Sequence, residues 1–142
     1  MTREEVAAFI ARFEACQLTK QQWTHQAHLT AGFWYVSQLG ATEALEVIRG
    51  NIRRHNESVG TANTDTGGYH ESITRLYLDA IEQHVRAHEH VSFAASLQAL
   101  LDSQLGTSNW PLAYYSRERL FSVAARRGWV EPDLQSLESP ES

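Results

Sequence analysis

A chain of 142 residues, 42% hydrophobic and 20% charged, is long enough for one globular domain that buries a substantial core without disulfides. Its formal net charge of -5 repels a phosphate backbone, which argues against general nucleic-acid binding. The single cysteine, Cys16, excludes an intrachain disulfide, and no apolar run approaches the roughly 20 residues that span a bilayer.

Helical periodicity dominates the chain. Thr2 and Glu5 form a T-x-x-E capping box, and Val6, Phe9, Ile10 and Phe13 then recur at three and four, predicting a helix to about Cys16. This N-terminus carries charge through its helical pattern and lacks a signal-peptide apolar core, so a cytoplasmic location is expected. Thr19 with Gln22 caps a short turn. Thr24 is the better N-cap, for a second helix from His25 to about Gln38 with Gly40 as its stop. Apolar residues wrap much of its circumference, as expected of the central helix. Thr42 is the expected cap of a third helix ending near Arg54.

His55 to Tyr69, HNESVGTANTDTGGY, reads as a long loop without periodicity, of the kind that is usually functional or disordered. The fourth helix carries the cleanest amphipathic stripe, with Ile73, Leu76, Tyr77, Ala80, Ile81, His84 and Val85. Ser92 caps a fifth helix stopping near Gly106. After a loop around Trp110-Pro111, Ser116 caps a last helix to about Arg127, which Gly128 ends. Trp129, Val130, Pro132 and Leu134 read as an extended strap packed back on the body. The expectation is one all-α, bundle-like domain of five or six helices over residues 1–135, with a frayed polar tail over 136–142.

The chemistry centres on WTHQAHL, Trp23 to Leu29. Residues i and i+3 share a helix face, so His25 and His28 can ligate one ion, with Trp23 and its apolar neighbours as a dry surround. A third ligand is expected from GYHESIT, where His70 shares the stripe of Ile73, Tyr77 and Ile81. Glu71 is then a fourth ligand or a general base on a metal-bound water. Three protein ligands with an open position is the pattern of catalytic sites. Each of these residues also has a plainer reading. The histidines can be hydrogen-bonded core residues, and Glu71 has Arg75 at i+4 for a surface ion pair.

His55 reads as a helix-capping imidazole, His84 as a packed core residue, and His88 and His90 as exposed. Cys16 reads as a small buried hydrophobe. Arg117, Arg119, Arg126 and Arg127 form a basic patch. Tyr114, Tyr115 and Arg117 are candidates for the far side of the pocket, Tyr115 and Arg117 as catalytic groups beside Glu71.

As a set, WTHQAHL, RHNESVG, GYHESIT, YYSRERL and WVEPDL resemble the signature of a family of small, uncharacterised bacterial proteins, from about Trp23 to Leu134. The resemblance implies a bacterial, single-domain cytosolic protein and supplies no reaction. The leading expectation is therefore a small helical metalloprotein, a metal-dependent enzyme acting on a small molecule. A divalent metal, Zn or Fe, would be held by His25, His28 and His70, with the long loop as a mobile wall. Zn points to an activated water, and Fe with Glu71 bound to oxygen chemistry. The alternative is a non-catalytic module whose histidines line a pocket for a small ligand. A third reading, a structural or homo-oligomeric protein, would spend the aromatic residues on a subunit interface. No nucleic-acid or membrane partner is expected.

Overall fold

The computed structural model describes residues 1–137, and within them the secondary structure is helical, with no strand. Five longer helices are α1 (Arg3–Glu14), α2 (His25–Leu39), α3 (Ala41–Ser58), α4 (Glu71–Ala87) and α5 (Phe93–Asp102). Two short ones follow, α6 (Arg117–Leu120) and α7 (Val123–Arg127), and 3-10 turns cover Lys20–Gln22, Gln104–Gly106 and Trp110–Ala113. The all-α expectation holds. No helix among the described residues is long and apolar enough to cross a membrane. The frayed tail expected over 136–142 lies, for its last five residues, outside the described range.

Local chemistry explains most helix starts. The capping boxes Thr2–Glu5 and Thr19–Gln22 form in both directions, and Thr24, Ser92 and Ser116 each accept a hydrogen bond from the backbone N–H three residues on. Gly40, at φ 80°, ends α2 in a conformation that costs a side-chain-bearing residue free energy. It also begins α3 directly, so Thr42 lies inside the helix and caps nothing. Glu82 of α4 takes over that role, its Oε2 accepting the Ala41 N–H at 2.7 Å.

Helix α2 is the centre, packed on α1, α3, α4 and α5. Gly32 permits the closest approach to α4: a Cβ there would meet Ile81 Cδ1 at 2.9 Å. One core cluster joins α1 to α5 through residues such as Phe13, Leu29, Phe33, Ile48, Ile81 and Leu100. A second holds the C-terminal third to α4, with Leu76, Trp110, Tyr115 and Leu120 at its heart and Trp129 and Val130 against it.

Three expectations need correction. α3 runs past Arg54 to Ser58, so the loop before α4 is shorter than expected and His55 and Asn56 are helical and buried. The last helix is two, because Ser122 leaves helical geometry and caps α7 through the Ala125 N–H. Cys16 is half-buried rather than core, at φ 58° after α1. The strap, by contrast, docks as expected. Ser72, fully buried on α4, donates to Gly128 O at 2.7 Å and accepts the Val130 N–H at 3.1 Å. Tyr115 Oη donates to Val130 O at 2.6 Å.

Candidate functional site

His25 and His28 open α2 and line one cavity of about 400 Å³, walled by α2, α3, α4 and the segment from Ser108 to Phe121. Its walls are mostly aliphatic, among them Leu29, Ile48, Ile73, Leu78 and Ile81. The side chains of His25, His28, Thr74, Tyr77 and Ser108 supply its polar groups. A second hollow of about 520 Å³ adjoins it and shares His28, Ile52, Ile73 and Thr74 as walls. Trp23, Asn56, Tyr69 and His70 border that second hollow. His28 thus stands between the two.

The chemical state of each imidazole follows from its partners. His28 Nδ1–H donates to Thr24 O at 2.8 Å, since a carbonyl only accepts. That fixes the proton on Nδ1 and leaves the Nε2 lone pair without a protein partner among the described residues. Trp23 packs over the ring at 3.9 Å between centroids. Burial pushes the His28 pKa down to about 4, against the Thr24 hydrogen bond, with smaller contributions from His25 and His55. His28 is at the same time an exposed residue, open to water beside the cavity. The direction of the shift favours the neutral ring.

His25 Nε2–H donates to Leu105 O at 2.8 Å, and its ring meets Tyr77 edge-on at 5.5 Å. His70 is differently occupied. It is the N-cap of α4, with Nδ1 accepting the Ile73 N–H at 3.1 Å and Nε2–H donating to Leu120 O at 2.6 Å. Burial holds its pKa below the usual range, opposed by the Leu120 bond and assisted by the Arg126 charge. Both ring nitrogens are engaged, so no lone pair remains for a ligand. His25, His28 and His70 are therefore not gathered as a ligand set in this geometry. Among the described residues no three His, Cys, Asp or Glu side chains are grouped as a metal centre.

Glu71 does not pair with Arg75. Arg49 of α3 reaches it in a fork, Nε to Oε1 at 2.9 Å and Nη2 to Oε2 at 2.6 Å, and Tyr69 Oη donates to Oε1 at 2.7 Å. Burial alone would raise the Glu71 pKa, but the Arg49 and Tyr69 hydrogen bonds outweigh it and the net shift is downward. A carboxylate so held is a poor general base, and Glu71 lies outside the His25–His28 cavity. Arg75 instead pairs with Asp79 at 3.8 Å and lies over the Trp129 ring.

Tyr115 and Arg117 are also not brought to the cavity. Tyr115 is fully buried in the second core cluster, and Arg117 is exposed on α6. Tyr77, Thr74 and Ser108 take the places expected of them. Of these, Tyr77 was legible as part of the α4 stripe, whereas nothing local marks Ser108. His55 is no cap: it is fully buried, with Nε2–H donating to Leu18 O at 3.1 Å and Nδ1 unpartnered. The indole N–H of Trp23, 5.2 Å away between ring centroids, is likewise buried without a partner. His84 donates to Ser96 O and stacks on a half-buried His88 at 3.9 Å.

The long loop is ordered by its own side chains. Asn63 Oδ1 accepts from Asn56 Nδ2 and the Tyr69 N–H, and Asn63 Nδ2 donates to Arg53 O. Gly68, at φ 78°, presses so close that a Cβ would meet Ala62 O at 2.5 Å. Arg127 holds Asp65 through two bonds of 2.7 Å. The loop gives Val59, Thr61, Gly68 and Tyr69 to the wall of the second hollow. Comparison with known protein families, curated proteins and solved structures gives no match.

Proposed function

We propose that the protein binds a small, mainly apolar molecule in the His25–His28 cavity, with His28 Nε2 accepting a hydrogen bond from its one polar end. The observation that carries this reading is the pairing of an aliphatic cavity of about 400 Å³ with a neutral imidazole whose tautomer is fixed. Such cavities, apolar with a few placed polar groups, are the usual form of small-molecule sites. A ligand hydroxyl facing Nε2 would donate a hydrogen bond to a ring already deprotonated, and because the same burial makes that ring a weak proton acceptor, the geometry favours binding over proton abstraction. The setting we propose is cytoplasmic, in keeping with a free Cys16.

A metal-dependent enzyme is the second reading, favoured by the same fixed tautomer, since a ligating imidazole donates its other N–H to an oxygen. For Zn or Fe to bind as the sequence pattern implies, His70 Nδ1 would have to give up the Ile73 N–H, while Nε2–H could keep Leu120 O.

The test is a fragment screen of small phenols and aliphatic alcohols by amide NMR. Binding that perturbs Ile73, Tyr77 and Ile81 and weakens in His28→Gln supports the reading. A screen whose hits leave those amides unmoved contradicts it. Near-stoichiometric Zn or Fe in purified protein, lost in His28→Ala and His70→Ala, would favour the second reading.

A further inference from the structure

Apart from the apolar cavity, with no lining residue in common, lies a polar cleft of about 330 Å³, lined by Arg49, Arg53, Arg126 and Arg127 with Asp65 and Glu71. The chain as a whole carries 12 Lys and Arg against 17 Asp and Glu. Four guanidiniums facing two carboxylates is therefore a local reversal of the molecule's charge.

The two carboxylates are already committed. Glu71 takes the fork of Arg49, and Asp65 takes that of Arg127. Arg126 spends one nitrogen, Nη1, on the carbonyls of Gly68 and Tyr69. Its other guanidinium N–H groups have no protein acceptor among the described residues, and no acceptor is found there for the guanidinium of Arg53 at all. Arg49 and Arg53, four residues apart on α3, face the cleft from one side, and Arg126 and Arg127 close it from α7. Like charges so placed repel unless an anion joins them.

We propose that this cleft binds a phosphoryl group, at a site distinct from the apolar cavity and independent of the function assigned to it. Two unneutralised guanidiniums match the double charge of a phosphate monoester, and planar N–H forks match its oxygens. Asn63 and Thr64 also line the cleft. The cleft has room for a small organic residue attached to the phosphate, and the ordered loop presents the site ready-made.

Calorimetric titration with inorganic phosphate and with phenyl phosphate, at a fixed ionic strength of about 0.15 M, tests the proposal. Arg53 is exposed and bonds no other side chain among the described residues, so Arg53→Gln should fold normally. Both anions should bind to the wild type at millimolar concentration or below, about five-fold or more weakly to Arg53→Gln, and unchanged to His28→Gln. Acetate should bind far more weakly. No binding of either phosphate up to about 10 mM, or binding that Arg53→Gln leaves intact, overturns it.

Discussion

Glu71 and His28 illustrate how a titratable residue acquires its character from its surroundings. Glu71 is held anionic by the Arg49 fork and the Tyr69 hydroxyl, and its side chain is only 12% exposed. Removing its charge leaves Arg49 without its main partner, so Glu71→Gln should cost about 2 kcal/mol, a fall of roughly 6 °C in Tm. Because the folded pKa lies below the unfolded value, the stabilisation is complete above about pH 4.5 and is lost as pH falls through the lowered folded pKa. Acid titration of stability should show this loss in the wild type and its absence in Glu71→Gln; identical acid limbs would refute the assignment. His28 has no carboxylate against it. Its lowered pKa comes first from burial, which favours the neutral ring, whereas the partners of Glu71 favour its charged form.

At the scale of elements, what was legible in the sequence was what is local. Thr2, Thr19, Thr24, Ser92 and Ser116 cap helices through contacts three residues away, and Gly40 stops α2 by its own backbone. What escaped has distant partners. Glu82 caps α3 across 41 residues, Arg49 reaches Glu71 across 22, and His55 is buried because Leu18 O, 37 residues back, receives its proton. A pattern at i+4 such as Glu71–Arg75 cannot reveal that a better partner waits on another helix. Ser122 was a local signal passed over, a capping serine inside an apparently continuous helix. Ser72 Oγ ties the strap at two points, Gly128 and Val130, beside the bond of Tyr115 Oη to Val130 O. Ser72→Ala should therefore cost about 1–3 kcal/mol and accelerate hydrogen exchange at the Val130 amide ahead of the amides of α4. Unchanged exchange there would show that apolar packing alone seats the strap.

For the whole molecule, the histidine pair of α2 lines one cavity, whereas the expected third member, His70, borders the adjoining hollow. His70 shares a wall with His28 but spends both nitrogens on the backbone. The catalytic candidates Tyr115 and Arg117 fall outside because α6 and α7 turn the C-terminal segment so that Leu112, Leu120 and Phe121 line the cavity instead. The result is an apolar cavity bounded by α2, α3 and α4, a cationic cleft between α3 and α7, and His28 as the imidazole proposed to meet the polar end of a ligand.

That role of His28 is tested most directly by side-chain nitrogen NMR of histidine-labelled protein, with His28→Gln to assign its resonances. The ring should show the Nδ1–H tautomer at neutral pH, remain neutral as pH falls through about 6.5 where an ordinary histidine titrates, and protonate only near pH 4. An imidazole that titrates near the ordinary value, or that carries its proton on Nε2, would contradict the account.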